Sequence, residues 1–169
     1  QNHFYLDGQY PYTINPGGPN HEELASLIGI YEYLMEIYNH HFGNDHILKI
    51  SDKIKKINDL FAKHEEEIAN PVLDYISKRK DFCLIGKNKI NNKNRAPTIS
   101  FTVKGKTSKL VSEILVSNKI ATRNDNFYAW RCLESLGIDK NDGVIRISLV
   151  HYNDIKEINY LLDIFNKIN

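Results

Sequence analysis

The chain has 169 residues, 41% of them hydrophobic and 25% charged, ordinary proportions for one globular domain, or one domain with an appendage, and unlike those of a disordered chain. Lysine plus arginine (22) nearly balances aspartate plus glutamate (21), for a net charge of +1, which argues against a nucleic-acid binder living on counterion release and against an anionic-membrane binder. No apolar run approaches the ~20 residues that span a bilayer, the first residues lack the basic flank and apolar stretch of a signal peptide, and two cysteines, Cys83 and Cys132, are too few for a disulfide framework, so a reducing cytoplasm is the simpler home.

Residues 1–19 show no helical period. They carry Tyr5, Tyr10, Tyr12 and three prolines and read as an extended arm. Asn20 opens a helix as its cap, with Glu23 completing a capping box. Leu24, Leu27, Ile28, Tyr31, Leu34, Met35 and Tyr38 then recur at three and four, one apolar helical face. Gly43, Asn44 and Asp45 end this helix and start a second, expected over about 45–77. Pro71 lies inside the second stretch and should kink or restart it.

The period then changes. Residues 82–86 read as a short strand, and 87–95 as a polar loop. Residues 98–103 alternate strictly, with Ile99, Phe101 and Val103 on one face of a half-buried strand. Gly105 and Thr107 make a turn and cap for a helix carrying Leu110, Val111, Ile114 and Leu115. A short strand is expected at 120–123, a turn at 124–126, and a short helix at 129–136 stopped by Gly137. Residues 144–150 form another strand, and Asp154 with Glu157 caps a last helix. The order gives an α/β (α+β) sandwich: a small sheet covered by helices on one face, preceded by an extended arm and two long helices. We divide it as arm 1–19, linking helices 20–79 and small domain 80–169.

Several chemistries can be weighed from residue types. His40, His41 and His46 cluster near the first helix junction. His64-Glu65-Glu66-Glu67 begins like a zinc-protease helix, but Ile68 stands where the second histidine is needed, so no metal site is expected. The three glutamates read as a solvated face. Cys132, on an amphipathic helix, and Cys83, within an apolar strand, read as buried rather than reactive. Arg146 interrupts an aliphatic strand, on the face of Val144 and Ser148. It is either a charge on a solvated sheet face or a fixed guanidinium that can grip a carboxylate through two parallel hydrogen bonds. Gly17-Gly18 before a capped helix offers loop amides to an anion.

Three runs organise these pieces. They are Pro16-Gly17-Gly18-Pro19-Asn20-His21-Glu22, then Thr98-Ile99-Ser100-Phe101-Thr102-Val103, then Arg146-Ile147-Ser148-Leu149-Val150-His151-Tyr152-Asn153 with its acidic capped helix. In order and spacing they resemble the class V aminotransferases, most closely the cysteine-desulfurase-like branch. The resemblance covers nearly the whole chain. It implies the C-terminal small domain of a fold type I enzyme that uses pyridoxal 5'-phosphate on an amino-acid substrate. Partners implied are an N-terminal large domain of the same protein and a second copy in a homodimer. In that family the Schiff-base lysine precedes the glycine turn, whereas the first lysine here is Lys49. The fragment alone is therefore expected not to hold the cofactor and to be inactive.

By position, Arg146 matches the arginine that binds the substrate α-carboxylate, with Arg123 and Tyr128 as further substrate contacts. Gly17, Gly18 and Asn20 match the turn facing the cofactor phosphate. Gly18 stands where the family usually has threonine, so only a backbone amide could serve. Tyr128 falls where desulfurases carry their persulfide-forming cysteine, and a tyrosine cannot accept sulfur. The alternative to this reading is a stand-alone, non-catalytic α/β interaction module, or a small-ligand regulatory module whose Arg146 binds an effector carboxylate.

Overall fold

The computed structural model describes residues 17–91 and 94–168. The expected arm, with its three tyrosines, lies outside the described residues apart from Gly17, Gly18 and Pro19. Contacts divide the chain into two units, one up to Ile57 and one from Asn58.

In the first unit α1 spans His21–Phe42. Its start is the expected one: the Asn20 side chain accepts from the Glu23 amide at 3.1 Å. Its end is Gly43, at φ 79, whose amide bonds Asn39. Of the expected apolar face only Tyr38 is buried, with the Phe42 ring 5.2 Å away and Lys53 Nζ 5.0 Å above its ring. Leu24, Leu27, Ile28 and Tyr31 are exposed. Helix α2 spans Ile50–Lys78, not 45–77. Asp45 spends its carboxylate on the amides of Ile47 and Leu48, closing a turn that delays the helix. Those amides hold its carboxyl below the usual carboxylate range. Pro71 does not restart α2, which is helical throughout. The ring removes one backbone donor, and the buried side chains of Ile68, Ala69, Val72 and Leu73 on either side of it keep the helix packed.

The second unit continues α2 and adds β1 (Phe82–Ile85), β2 (Thr98–Val103), α3 (Ser108–Ser117), β3 (Arg123–Asp125), α4 (Trp130–Ser135), β4 (Val144–Ser148) and α5 (Ile155–Phe165). The sheet is antiparallel throughout, in the order β1-β2-β4-β3. Ile99 pairs with Ile147 and Phe101 with Ile145, so one face is aliphatic and aromatic. That face joins Val72 and Ile76 of α2, Leu115 of α3, and Ile164 and Phe165 of α5 in a single core. This is the expected sheet with helices on one face. The capping box of α5, Asp154 with Glu157, and the Thr107 cap of α3 are both formed. Across the 87–97 connection, the Asn70 side chain pairs with both backbone groups of Ile90, at 2.9 and 3.1 Å.

Four local expectations are corrected. The strand expected at 120–123 begins only at Arg123. Residues 118–120 instead close α3: Ile120 N bonds Leu115 O, Lys119 N bonds Val116 O, and Lys119 sits at φ 61. This is the paired-bond cap that usually takes glycine. β4 stops at Ser148 rather than 150, because the amide of Val150 is taken by the Asn153 side chain. Cys83 is exposed. Its strand lies at the sheet edge, and Phe82 rather than Cys83 takes the core side. Cys132 is exposed too, because Leu133 is the residue of α4 that turns inward. Glu65 and Glu66 are half-buried and Glu67 exposed. His64 Nε2 lies 2.8 Å from the Asn153 carbonyl oxygen.

Candidate active site

The sheet face turned away from the helices carries alternate, mostly polar residues. On β2 and β4 these include Ser100, paired with Arg146, and Thr98, paired with Ser148. On the other side of β4, Arg123 lies directly opposite Arg146. Cross-strand neighbours share a face, so register alone brings two guanidinium groups to one place. With Ala121, Thr122 and Ser148 they line a cavity of about 210 Å³. Among the described residues the ion pairs are Arg79–Asp81, Lys109–Glu113 and Lys140–Glu134, and neither arginine of the cavity takes part. Arg146 is half-buried and Arg123 exposed.

Arg146 does have an aromatic neighbour. Its guanidinium carbon lies 4.0 Å from the ring centroid of Phe127, a cation–π distance. Phe127 is placed by the turn 126–129, closed by a bond from Ala129 N to Asn126 O at 2.9 Å. Phe127 and Tyr128 have φ of 51° and 61°, the left-handed pair of a type I′ turn. Such turns favour Asn-Gly, and bulky residues there cost about 1–3 kcal/mol each. Asn126 holds the turn: its side-chain oxygen accepts from Tyr128 N at 2.9 Å and its Nδ2 donates to Lys140 O at 3.3 Å.

The structure thus brings Arg123 and Arg146 together. It does not place Tyr128 on the cavity wall; that side chain is fully exposed beyond the turn. Phe127 was missed by sequence reasoning. Its only signal was adjacency to Tyr128 in a loop, and the sign of its backbone φ cannot be read from residue type.

Gly17, Gly18 and Asn20 belong to the first unit. Both glycines are exposed, with nothing within 4 Å of where a β-carbon would be, so they form no close cradle. Asn20 uses its side-chain oxygen on α1, and Glu22 and Glu23 put negative charge in the first turn, where an anion meets repulsion. Lys49, the first lysine, directs its carbonyl to the start of α2. The described residues do not by themselves fit pyridoxal phosphate. No group of three or more histidine, cysteine, aspartate or glutamate side chains among them could hold a metal ion. No described helix is long and apolar enough to cross a membrane.

Comparison with known proteins agrees with this architecture. An aminotransferase-like protein of Gibberella zeae is 28% identical over 154 residues, which cover 89% of this chain and 36% of that protein. The chain therefore spans about a third of the length of the curated relative it matches. Among solved structures, it is similar to the cysteine desulfurase CsdA of Escherichia coli, with a TM-score of 0.65 and 18% identity, over 93% of this chain and 32% of that one. It is also similar to a cysteine desulfurase of Thermococcus onnurineus, with a TM-score of 0.57 and 22% identity, over 70% of this chain and 29% of that one. These likenesses show the fold, a mixed α/β fold shared with cysteine desulfurases of fold type I. The sequence matches the family Aminotransferase class-V over residues 43–161, and the chain belongs to that family.

Proposed function

We propose that this chain is the C-terminal part of a cytoplasmic pyridoxal-phosphate enzyme acting on an amino acid, in which Arg146 grips the substrate α-carboxylate. Residues 1–19 reach toward the cofactor and the second subunit of a homodimer, 20–79 form the linking helices, and 80–169 form the small domain. A large domain of the same protein supplies the Schiff-base lysine and most of the cofactor site, which accords with the third of the relative's length matched here. Arg123 borders the same substrate from the cavity wall, and Tyr128 meets it only from outside the cavity, beyond the turn. A phenol cannot take up sulfur, so desulfuration through residue 128 is not part of this reading, and the chain alone is inactive.

The observation that carries the proposal is the Arg123–Arg146 pair, facing one cavity on the open side of the sheet without a described carboxylate partner. Two facing cations attract an anion. A guanidinium whose face is covered by a ring keeps its edge for two parallel bonds to a carboxylate. The test is Arg146→Lys in the complete enzyme. Losing a bond to a charged group costs about 1.5–3 kcal/mol, so KM for the amino acid should rise roughly ten- to a hundredfold while the thermal midpoint holds. An unchanged KM removes Arg146 from the site.

A further inference from the structure

We infer that Phe127 is a positioning residue: its ring fixes the plane of the Arg146 guanidinium so that the arginine meets a carboxylate already oriented. This rests on the reading that Arg146 binds the substrate carboxylate, and adds the device that holds it ready.

An arginine on an open sheet face has several free torsions, and Arg123 opposite pushes it away. Binding would then have to order it. Pre-ordering removes that cost from the binding step. Phe127 supplies the ordering from one side, 4.0 Å from the guanidinium carbon, and an approach this short between carbon and centroid suits a ring laid on the guanidinium face, which leaves the donor edge for a carboxylate. The backbone is committed to this placement. Two successive bulky residues are held in the left-handed region, which persists only where the surroundings over-determine it. They do so here through three contacts: the Asn126 side chain on Tyr128 N, the same side chain on Lys140 O, and Gly143 against Asp125. A glycine at 127 would relieve the strain but bring no ring to Arg146.

That conflict supplies the experiment. Propionate is titrated into this chain at constant ionic strength, following the Nε–Hε resonance of Arg123 and the backbone amides of β3 and β4, all present in every variant, with thermal midpoints measured in parallel. The wild-type chain should bind propionate, and Arg146→Gln should abolish the response. Phe127→Leu should weaken propionate about three- to fivefold, the worth of an exposed cation–π contact, and Phe127→Tyr should restore it. Phe127→Gly should raise the thermal midpoint yet still weaken propionate. Stability and affinity moving in opposite directions is a result that a merely structural side chain does not give. If Phe127→Leu and Phe127→Gly bind propionate as the wild type does, the positioning role is overturned and the carboxylate reading stands. If the wild-type chain shows no response, or Arg146→Gln responds equally, both fall.

Discussion

Gly143 passes Asp125 so closely that a β-carbon on it would sit 2.2 Å from the Asp125 carbonyl carbon and 2.6 Å from the Asn126 amide nitrogen. The start of β4 is thereby pressed against the end of β3 and the first residue of the turn that carries Phe127. Both the space and the backbone demand glycine, since φ at 143 is +75°.

Gly143→Ala should therefore destabilise by about 2–3 kcal/mol, combining left-handed strain with a backbone clash. Gly137→Ala is the control. It also has positive φ, +69°, but open space around the added methyl, so it should cost only about 1 kcal/mol. Urea midpoints of the two variants check this, and equal losses would show that the close approach relaxes freely.

Asp142 should be a stability residue rather than a chemical one. Its two carboxylate oxygens accept from the Ser108 amide at 2.8 and 3.0 Å, at the first turn of α3. The buried Ser108 hydroxyl donates in return to the Asp142 carbonyl oxygen. A carboxylate there satisfies a free amide and complements the helix dipole. Asp142→Ala should cost about 1–2 kcal/mol, with Asp142→Asn recovering part of it in the same denaturation assay. No loss in Asp142→Ala would mean that the Thr107 cap suffices for α3.

The sequence was most legible where one residue type did one local job. Asn20, Thr107, Asp154 and Gly137 marked helix ends because a cap or a left-handed stop is written in the residue itself. The alternation of Ile99, Phe101 and Val103 located β2 to the residue. What failed depended on partners distant in sequence. β3 is Arg123–Asp125, whose Asn and Asp favour turns over strands; it is a strand because β4 pairs with it and Gly143 leaves room. Cys83 looked like core because its neighbours are apolar, yet the pleat turns it outward at an edge. Arg146 could be singled out as a charge among aliphatics. That Phe127, rather than Tyr128, would stand over it depended on the hand of a turn closed by long-range contacts.

Acid should loosen the junction between α2 and β1. Arg79 donates to Asp81 through Nε at 2.7 Å and through a second nitrogen, and this holds the Asp81 carboxyl below the usual carboxylate range. A depressed carboxyl contributes stability that is fully present above its unfolded value, and loses it as pH falls through the lower folded value. The thermal midpoints of wild type and Asp81→Asn should thus differ by a constant amount near neutral pH and converge below about pH 4. Both side chains are partly solvent-exposed, so the gap should be small and shrink with salt. A gap that persists unchanged in acid would assign the effect of the variant to packing instead.

Arg123 should exchange stability for anion affinity. Like charges directly opposite on one sheet face are destabilising, by about 0.2–1 kcal/mol on the scale of cross-strand pairs. Arg123 and Arg146 are such a pair, and no described carboxylate pairs with either. Arg123→Gln keeps a long polar side chain on the same strand and removes the repulsion. For a chain of this length 1 kcal/mol moves the midpoint by about 2–4 °C, so Arg123→Gln should raise the midpoint by about 1–3 °C at low salt. Screening falls to a Debye length of about 3 Å at 1 M salt, so the advantage should disappear there. In the complete enzyme the same substitution should raise KM for the amino acid, because the field that gathers a carboxylate at Arg146 is halved in charge. The measurements are midpoints at two ionic strengths and KM at one. A lower midpoint at low salt would mean that Arg123 is held by a stabilising contact and that the two guanidinium groups do not repel. A higher midpoint with unchanged KM would leave Arg146 to bind the carboxylate alone.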